Sequence, residues 1–133
     1  MKRLKMTGLF IGYFFFTMLP GGGEVRSEER IEAIPYNIGV VLAITGAGAL
    51  YSNDGTDAIR LAVEEINAEG GFLGRHSIRL FTGDTRAKPD VAVRETRSLI
   101  LRDNVRCILG TYSSACAIAI KAIIRKYKVL HIA

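Results

Sequence analysis

The chain has little of the material from which several protein classes are built. Its 133 residues include two cysteines, three prolines and no tryptophan. Two cysteines are too few for a disulfide framework, and no cysteine–histidine spacing is typical of a zinc site. A hydrophobic content of 49% excludes a disordered or collagen-like chain. The length allows one domain at most.

A strong positive charge outside the N-terminus is also missing. The net charge is +5, but three of the eighteen basic residues, Lys2, Arg3 and Lys5, precede an apolar run. The remaining fifteen are nearly balanced by thirteen acidic residues. A basic surface for nucleic acid is therefore not expected, and we predict no nucleic-acid partner.

The N-terminus has the order of a secretory signal peptide. The three cations are followed by fourteen uncharged residues, 6–19, and then by Pro20 and three glycines. A membrane-spanning helix needs roughly 20 apolar residues, so this run suits the core of a signal peptide better than a span. A short anchor and a buried helix are the alternatives. We predict a signal peptide over residues 1–23, cleaved between 23 and 27, and export to the periplasm.

After a polar linker predicted at residues 24–37, apolar runs of strand length alternate with helical periodicity. The strands are predicted at residues 38–43, 78–82, 105–109 and 129–132. Alternation of this kind indicates right-handed crossovers and a parallel sheet. We therefore predict an α/β fold over residues 38–133, a partial doubly wound, flavodoxin-like sheet of order βαβαβαβ.

The three helices are predicted to begin at different signals. The first begins near Asp54, capped by Asn53 or Asp54, and ends before Gly70. The second opens with Pro89 and the third with Ser114. The apolar face of the first helix is predicted to comprise Ala58, Ile59, Ala62, Val63 and Ile66.

The first strand is followed by a glycine-bearing segment, residues 45–51. Gly46 and Gly48 fit the start of a dinucleotide fingerprint, but its third glycine is replaced by Tyr51. This weakens the alternative of a nucleotide-dependent enzyme. Tyr51 is predicted either to form an aromatic wall of a pocket or merely to cover the sheet edge.

The segment between the third strand and third helix offers donors for an anion. Ser113 and Ser114 stand at the helix start, and no acidic side chain occupies its first turn. The free N–H groups and the positive end of the helix dipole favour a carboxylate there. The alternative is that Ser114 only caps the helix.

Other chemistry-bearing residues are expected to be structural. Asp84 is expected to accept N–H bonds from its own loop, and His76 and His131 stand alone. No catalytic constellation is present, so we predict neither an enzyme nor a cofactor. Cys107 and Cys116 are predicted to be buried free thiols, with pairing as the alternative.

Several stretches together resemble one family, the type I periplasmic binding proteins of branched-chain amino acid, amide and urea ABC transporters. The resemblance covers residues 38–133, and the stretches that carry it are 38–46, Tyr51, 59–67, 70–75, Asp84, Pro89, 91–93, 108–110 and 113–114. It implies the first lobe of a two-lobed protein that closes on a small ligand, works with an ABC permease and is a monomer.

The resemblance also implies roles for individual residues. Ser113 and Ser114 match the place where the ligand carboxylate is held, and Tyr51 matches an aromatic that lines the ligand side chain. Ala133 matches the start of a segment whose backbone contacts the ligand. Because the chain matches only the first four strands, we expect an N-terminal piece that binds ligand poorly alone. A sensory receptor lobe is the alternative within this fold.

Overall fold

The computed structural model describes residues 33–133, in which four strands alternate with three helices. The elements are β1 (Tyr36–Leu42), α1 (Ala49–Ala68), β2 (Ile78–Asp84), α2 (Pro89–Leu101), β3 (Cys107–Leu109), α3 (Ser114–Tyr127) and β4 (Leu130–Ile132), with a short 3-10 turn, Gly46–Gly48, before α1. The predicted α/β order is confirmed. The predicted signal peptide and most of the predicted linker lie outside the described residues.

All four strands are parallel, in the order β2-β1-β3-β4. Along the chain, β2 is added on one side of β1, and β3 and β4 are then added in turn on the other side. Right-handed crossovers then place α1 on one face of the sheet and α2 and α3 on the opposite face. This reversal between β1 and β3 is the doubly wound arrangement that the sequence predicts.

The strand ends differ slightly from the predicted ones because they depend on which backbone groups pair between strands. β1 begins at Tyr36, inside the predicted linker, because Tyr36 already pairs with Ile78 of β2. β3 begins at Cys107, since the Val105 N–H bonds to the Leu99 carbonyl at the end of α2 (3.3 Å). β2 extends to Asp84, which pairs with Leu42.

The face covered by α2 and α3 carries the main apolar core. Ten buried residues form one cluster: Val41, Ala92, Leu99, Ile100, Val105, Ile108, Cys116, Ile120, Ile123 and Ile124. Gly83 lets α2 approach β2 closely, because a Cβ there would stand 2.9 Å from the Glu95 Cβ. The predicted Pro89 and Ser114 starts of α2 and α3 are confirmed.

The α1 face is much less buried, which corrects the predicted apolar face of this helix. Ile59 and Val63 are half-buried, and Ala58, Ala62 and Ile66 are exposed. Among the described residues of α1, Ser52 alone is fully buried. Within the described region α1 packs mainly on β1, β2 and the 3-10 turn, and most of its residues are exposed.

The start of α1 is a second correction. The helix begins at Ala49 rather than near Asp54, so Asn53 and Asp54 are not its caps. The 3-10 turn Gly46–Gly48 leads directly into the helix, with Gly48 as an N-cap that provides no side chain. Tyr51 therefore lies in the first turn of α1 and not in a loop.

The two cysteines are both free and buried, as predicted. Cys107 pairs in register with Ile38, one step from the Gly39–Ile108 pair that faces α2, so its side chain points to the α1 face. Cys116 belongs to α3 on the other side. Burial raises the pKa of the Cys107 thiol. Between residues 33 and 133, no helix has both the length and the apolar character for crossing a bilayer.

Candidate functional site

The candidate site lies at the edge where the carboxyl ends of the strands meet. β1 and β3 are neighbours, and the helices that follow them, α1 and α3, leave toward opposite faces. Such a switch point opens a crevice between the two connecting loops, where ligands of doubly wound sheets bind. The loops are residues 43–48 after β1 and 110–113 after β3.

The loop after β1 is held by Asp84 at the end of β2. One carboxylate oxygen, Oδ1, accepts the N–H groups of Ile44 (3.0 Å), Thr45 (3.2 Å) and Arg86 (3.0 Å). The other, Oδ2, accepts the Thr45 hydroxyl. The expectation that Asp84 serves its own loop is thus only partly right, since the Ile44 and Thr45 donors come from the β1–α1 loop.

These hydrogen bonds lower the pKa of the Asp84 carboxyl group. Burial by itself raises the pKa of its carboxyl group, but the bonds from the Thr45 hydroxyl and from the N–H groups of Arg86, Thr45 and Ile44 outweigh burial. The net result is a pKa below the ordinary value, which keeps the group ionised. The Arg86 guanidinium lies 3.8 Å away and is mostly exposed, so it adds little.

The loop after β2 is built to support the loop after β1. Arg86 and Ala87 both adopt left-handed backbone conformations, with φ of 52° and 57°. The buried Thr85 side chain accepts the Ala87 N–H (3.2 Å), and the Thr85 N–H bonds to the Leu42 carbonyl (2.8 Å). Non-glycine residues in this region cost free energy and persist only where their surroundings hold them. Ala87 of this pair lies beside Gly48, where an added Cβ would be 3.6 Å from the Ala87 Cβ.

Two tyrosines stand across the crevice. The rings of Tyr51, in the first turn of α1, and Tyr112, in the loop after β3, are parallel, with an angle of 2° and a centroid distance of 5.5 Å. Both side chains are largely exposed, at 64% and 53%. Offset stacking of this kind is favourable beyond the area it buries. Tyr112 was not predicted from the sequence. Its position directly before Ser113 was the signal that could have indicated it.

The loop after β3 is held by the backbone and by one histidine. Gly110 has a φ of 95°, and a Cβ there would lie 2.5 Å from the Val41 carbonyl oxygen, so only glycine fits. Its N–H bonds to the Ile132 carbonyl (2.9 Å), and its own carbonyl accepts the Nε2–H of His131. His131 is therefore structural, as expected, as is His76, whose Nδ1 lies 2.9 Å from the Ile34 carbonyl.

The start of α3 presents hydroxyl groups and backbone donors. Ser113 is the N-cap, in an extended conformation, and makes no side-chain capping bond with any described residue. Its carbonyl accepts the Thr111 hydroxyl (2.9 Å). Ser114 is the first helical residue and is exposed, so the cap position belongs to Ser113 instead. No acidic residue occupies the first turn of α3, and its free N–H groups suit an external anion.

The structure brings most of the predicted site residues to one edge. The Tyr51–Tyr112 stack places Tyr51 beside the loop that carries Ser113 and Ser114. Ala133 follows β4, which pairs with β3, and so lies at the same edge one strand further along. Nowhere in the described part of the chain do three or more metal-binding side chains form a cluster.

Comparison with known proteins gives a consistent class. Residues 35–133 match the family described as periplasmic binding protein. The Leu/Ile/Val-binding protein homolog 7 of Brucella suis is 39% identical over 82 residues, which cover 62% of this chain and 20% of that protein. Homolog 8 of Brucella abortus is 40% identical over 81 residues, covering 61% and 20%.

Solved structures share the fold. The branched-chain amino acid transporter substrate binding protein LivJ of Streptococcus pneumoniae, in complex with isoleucine, superposes with a TM-score of 0.69 at 28% identity, covering 73% of this chain and 28% of that chain. An ABC transporter substrate-binding protein of Sphaerobacter thermophilus gives a TM-score of 0.66 at 30% identity, covering 73% and 25%.

The chain belongs to the periplasmic binding protein family. Within that class it is of the type I, leucine-binding-like kind, as the resemblance predicts. Its curated relatives are named as Leu/Ile/Val-binding protein homologues, and the two solved relatives as substrate-binding proteins of transporters. The chain spans about a fifth of the length of the curated relatives that it matches.

Proposed function

We propose that this chain supplies one side of an extracytoplasmic solute-binding site that captures an amino acid of the branched-chain type, or a related amide, for an ABC uptake system. The observation that carries the proposal is the start of α3, where Ser113, Ser114 and free N–H groups face no acidic neighbour in the first turn. A ligand carboxylate satisfies these donors and interacts favourably with the helix dipole.

The tyrosine pair favours a ligand with an apolar side chain. Tyr51 and Tyr112 present large, half-exposed aromatic surfaces next to the serines. Burying an aliphatic side chain against them contributes free energy in proportion to the area removed from water. A charged end at the serines and an apolar end at the rings is the pattern of a branched-chain amino acid. Ala133, at the same edge, is proposed to contact the ligand through its backbone.

The binding test uses the full-length product of the gene. Calorimetric titration with L-leucine, L-isoleucine, L-valine and short aliphatic amides is expected to show binding of at least one. Ser114→Ala removes a hydroxyl donor to a charged group and is expected to weaken that binding by about 1–3 kcal/mol, roughly 5- to 150-fold.

Ser77→Ala is the matched control for this test. Ser77 is also exposed but precedes β2, at the opposite edge of the sheet, and its loss is expected to leave the affinity unchanged. Equal affinity of Ser114→Ala and the unmodified protein would remove Ser114 from the site. Absence of binding to every amino acid and amide tested would contradict the proposed ligand class.

The place of action and the partners complete the proposal. Export by the N-terminal segment, residues 1–23, delivers the protein to the periplasm as a monomer that meets an ABC permease. Cell fractionation and determination of the mature N-terminus test this, with a new N-terminus expected between residues 23 and 27. A product retaining Met1 in the cytoplasm would contradict it.

A further inference from the structure

The first turn of α1 lacks the usual means of fixing a helix start. Its N-cap is Gly48, which has no side chain, and no acidic residue occupies the first turn. Yet Tyr51 in this turn stands in a defined stack with Tyr112 across the crevice. Something outside the helix must therefore hold the segment that leads into it.

The only carboxylate that bonds to this segment, among the described residues, is Asp84. It accepts the N–H groups of two consecutive residues, Ile44 and Thr45, and also the Thr45 hydroxyl. Its third N–H donor, Arg86, comes from its own strained loop. Asp84 thus joins the β1–α1 loop to the β2–α2 loop by four hydrogen bonds.

The chain between Thr45 and Tyr51 leaves little freedom to absorb a change. Three residues form the 3-10 turn, and the helix follows without an intervening loop. Gly48 is buried, and a Cβ there would lie 2.6 Å from the Ala43 Cβ. Gly46 turns the chain with a φ of 81°, and from there the 3-10 turn runs directly into the helix, so only a short segment separates Thr45 from Tyr51.

We propose that Asp84 is a positioning residue of the binding crevice, whose carboxylate sets the place of Tyr51 against Tyr112 by holding Thr45. The part of this inference that concerns ligand affinity rests on the proposed function. A carboxylate suits the role because both of its oxygens only accept, so that Oδ1 can face the three N–H groups while Oδ2 faces the Thr45 hydroxyl. Asparagine retains one acceptor oxygen but presents N–H groups on its other side, where Thr45 donates.

The first experiment reads the tyrosine pair without any ligand. The full-length protein is labelled with 3-fluorotyrosine, and the fluorine resonances of Tyr51 and Tyr112 are assigned with Tyr51→Phe and Tyr112→Phe. Asp84→Ala is expected to shift both resonances, and Asp84→Asn to shift them less. Asp103→Asn is the control, because Asp103 bonds to Arg102 at the opposite edge of the sheet (2.8 Å). Resonances unmoved in a folded Asp84→Ala protein would overturn the proposal.

The second experiment measures affinity for whichever of L-leucine, L-isoleucine and L-valine the unmodified protein binds. Asp84→Ala is expected to weaken binding roughly tenfold or more, Asp84→Asn less, and Asp103→Asn not at all. If the unmodified protein bound none of them, the proposed function would fail, while the fluorine resonances would still decide the role of Asp84.

If Asp84→Ala does not fold, substitutions of Thr45 still test the proposal. Thr45 is exposed, so changes there leave the core intact. Thr45→Val removes only the hydroxyl donor and is expected to move the Tyr51 resonance and weaken affinity about threefold or more. Thr45→Ser retains the donor and is expected to restore both. Identical spectra and affinities for the valine and serine variants would contradict the proposal.

Discussion

The two faces of the sheet are stabilised to very different extents. α2 and α3 together contribute seven buried residues to the apolar cluster, whereas α1 buries only Ser52 completely. The first face therefore supplies most of the apolar burial of the described region. The second face includes the helix that carries Tyr51, and the loop before this helix is held by hydrogen bonds that Ile44 and Thr45 donate to Asp84. Burial decides which strands and helices form, and a few long-range polar contacts decide where the site residues stand.

The largest expected effect comes from deleting equivalent apolar groups on the two faces. Ile120 is 0% exposed, so Ile120→Ala is expected to lower the free energy of unfolding by about 2–5 kcal/mol, through lost burial and the cavity left behind. Ile59 of α1 is half-buried, and Ile59→Ala is expected to cost roughly 1 kcal/mol. Urea denaturation of the two variants measures the difference. Equal losses would contradict the contrast between the faces.

A smaller effect, of opposite sign on the two faces, is expected from adding one methyl group. Gly83→Ala places a Cβ 2.9 Å from the Glu95 Cβ and is expected to destabilise the protein by about 1–3 kcal/mol. Gly55 in α1 has nothing within 4 Å of an added Cβ, so Gly55→Ala is expected to stabilise by about 0.5–1 kcal/mol. Thermal denaturation gives both signs, and stabilisation by Gly83→Ala would show that α2 is not closely packed on β2.

The smallest expected effect is a loss of stability at acidic pH. Because the folded-state pKa of Asp84 lies below its ordinary value of 3.8, ionised Asp84 contributes stability above that pH, and the contribution is lost as the pH falls through the lowered pKa. Stability of the unmodified protein should therefore fall more steeply below about pH 4 than that of Asp84→Asn.

The control for the acid experiment is Asp57→Asn on the same face. Asp57 pairs with Arg60 at 3.6 Å on the exposed side of α1, and exposed pairs of this kind contribute little. The loss of stability of Asp57→Asn with falling pH is expected to match that of the unmodified protein. The same match for Asp84→Asn would show that the hydrogen bonds to Asp84 do not favour the folded state.

The parts of the structure that follow from local sequence were predicted well. Pro89 marks the start of α2, Ser114 that of α3, and the apolar runs mark all four strands. Each of these signals acts over a few neighbouring residues, through backbone conformation, capping or burial periodicity. The resemblance to the family likewise rests on such stretches and is confirmed by the matching family and relatives.

The start of α1 and the role of Asp84 could not be predicted in this way. The residues that Asp84 contacts, Ile44 and Thr45, lie about forty positions earlier in the chain. Sequence patterns therefore favoured Asn53 and Asp54, good local caps that the structure leaves inside the helix. Tyr112 was missed although it directly precedes Ser113, because its stacking partner Tyr51 is distant in sequence and near only in the fold.

The anchoring of Gly110 has a consequence for the kinetics of ligand capture. This residue donates its N–H to the Ile132 carbonyl, accepts a hydrogen bond from His131, and lies so close to Val41 of β1 that a Cβ would not fit. The donors that follow it are thereby held in place, so a carboxylate bound there, as we propose, would lose its own freedom without also having to order this loop. For the ligand proposed above, we therefore expect the dwell time to depend on the strength of its contacts more than on reordering of this loop.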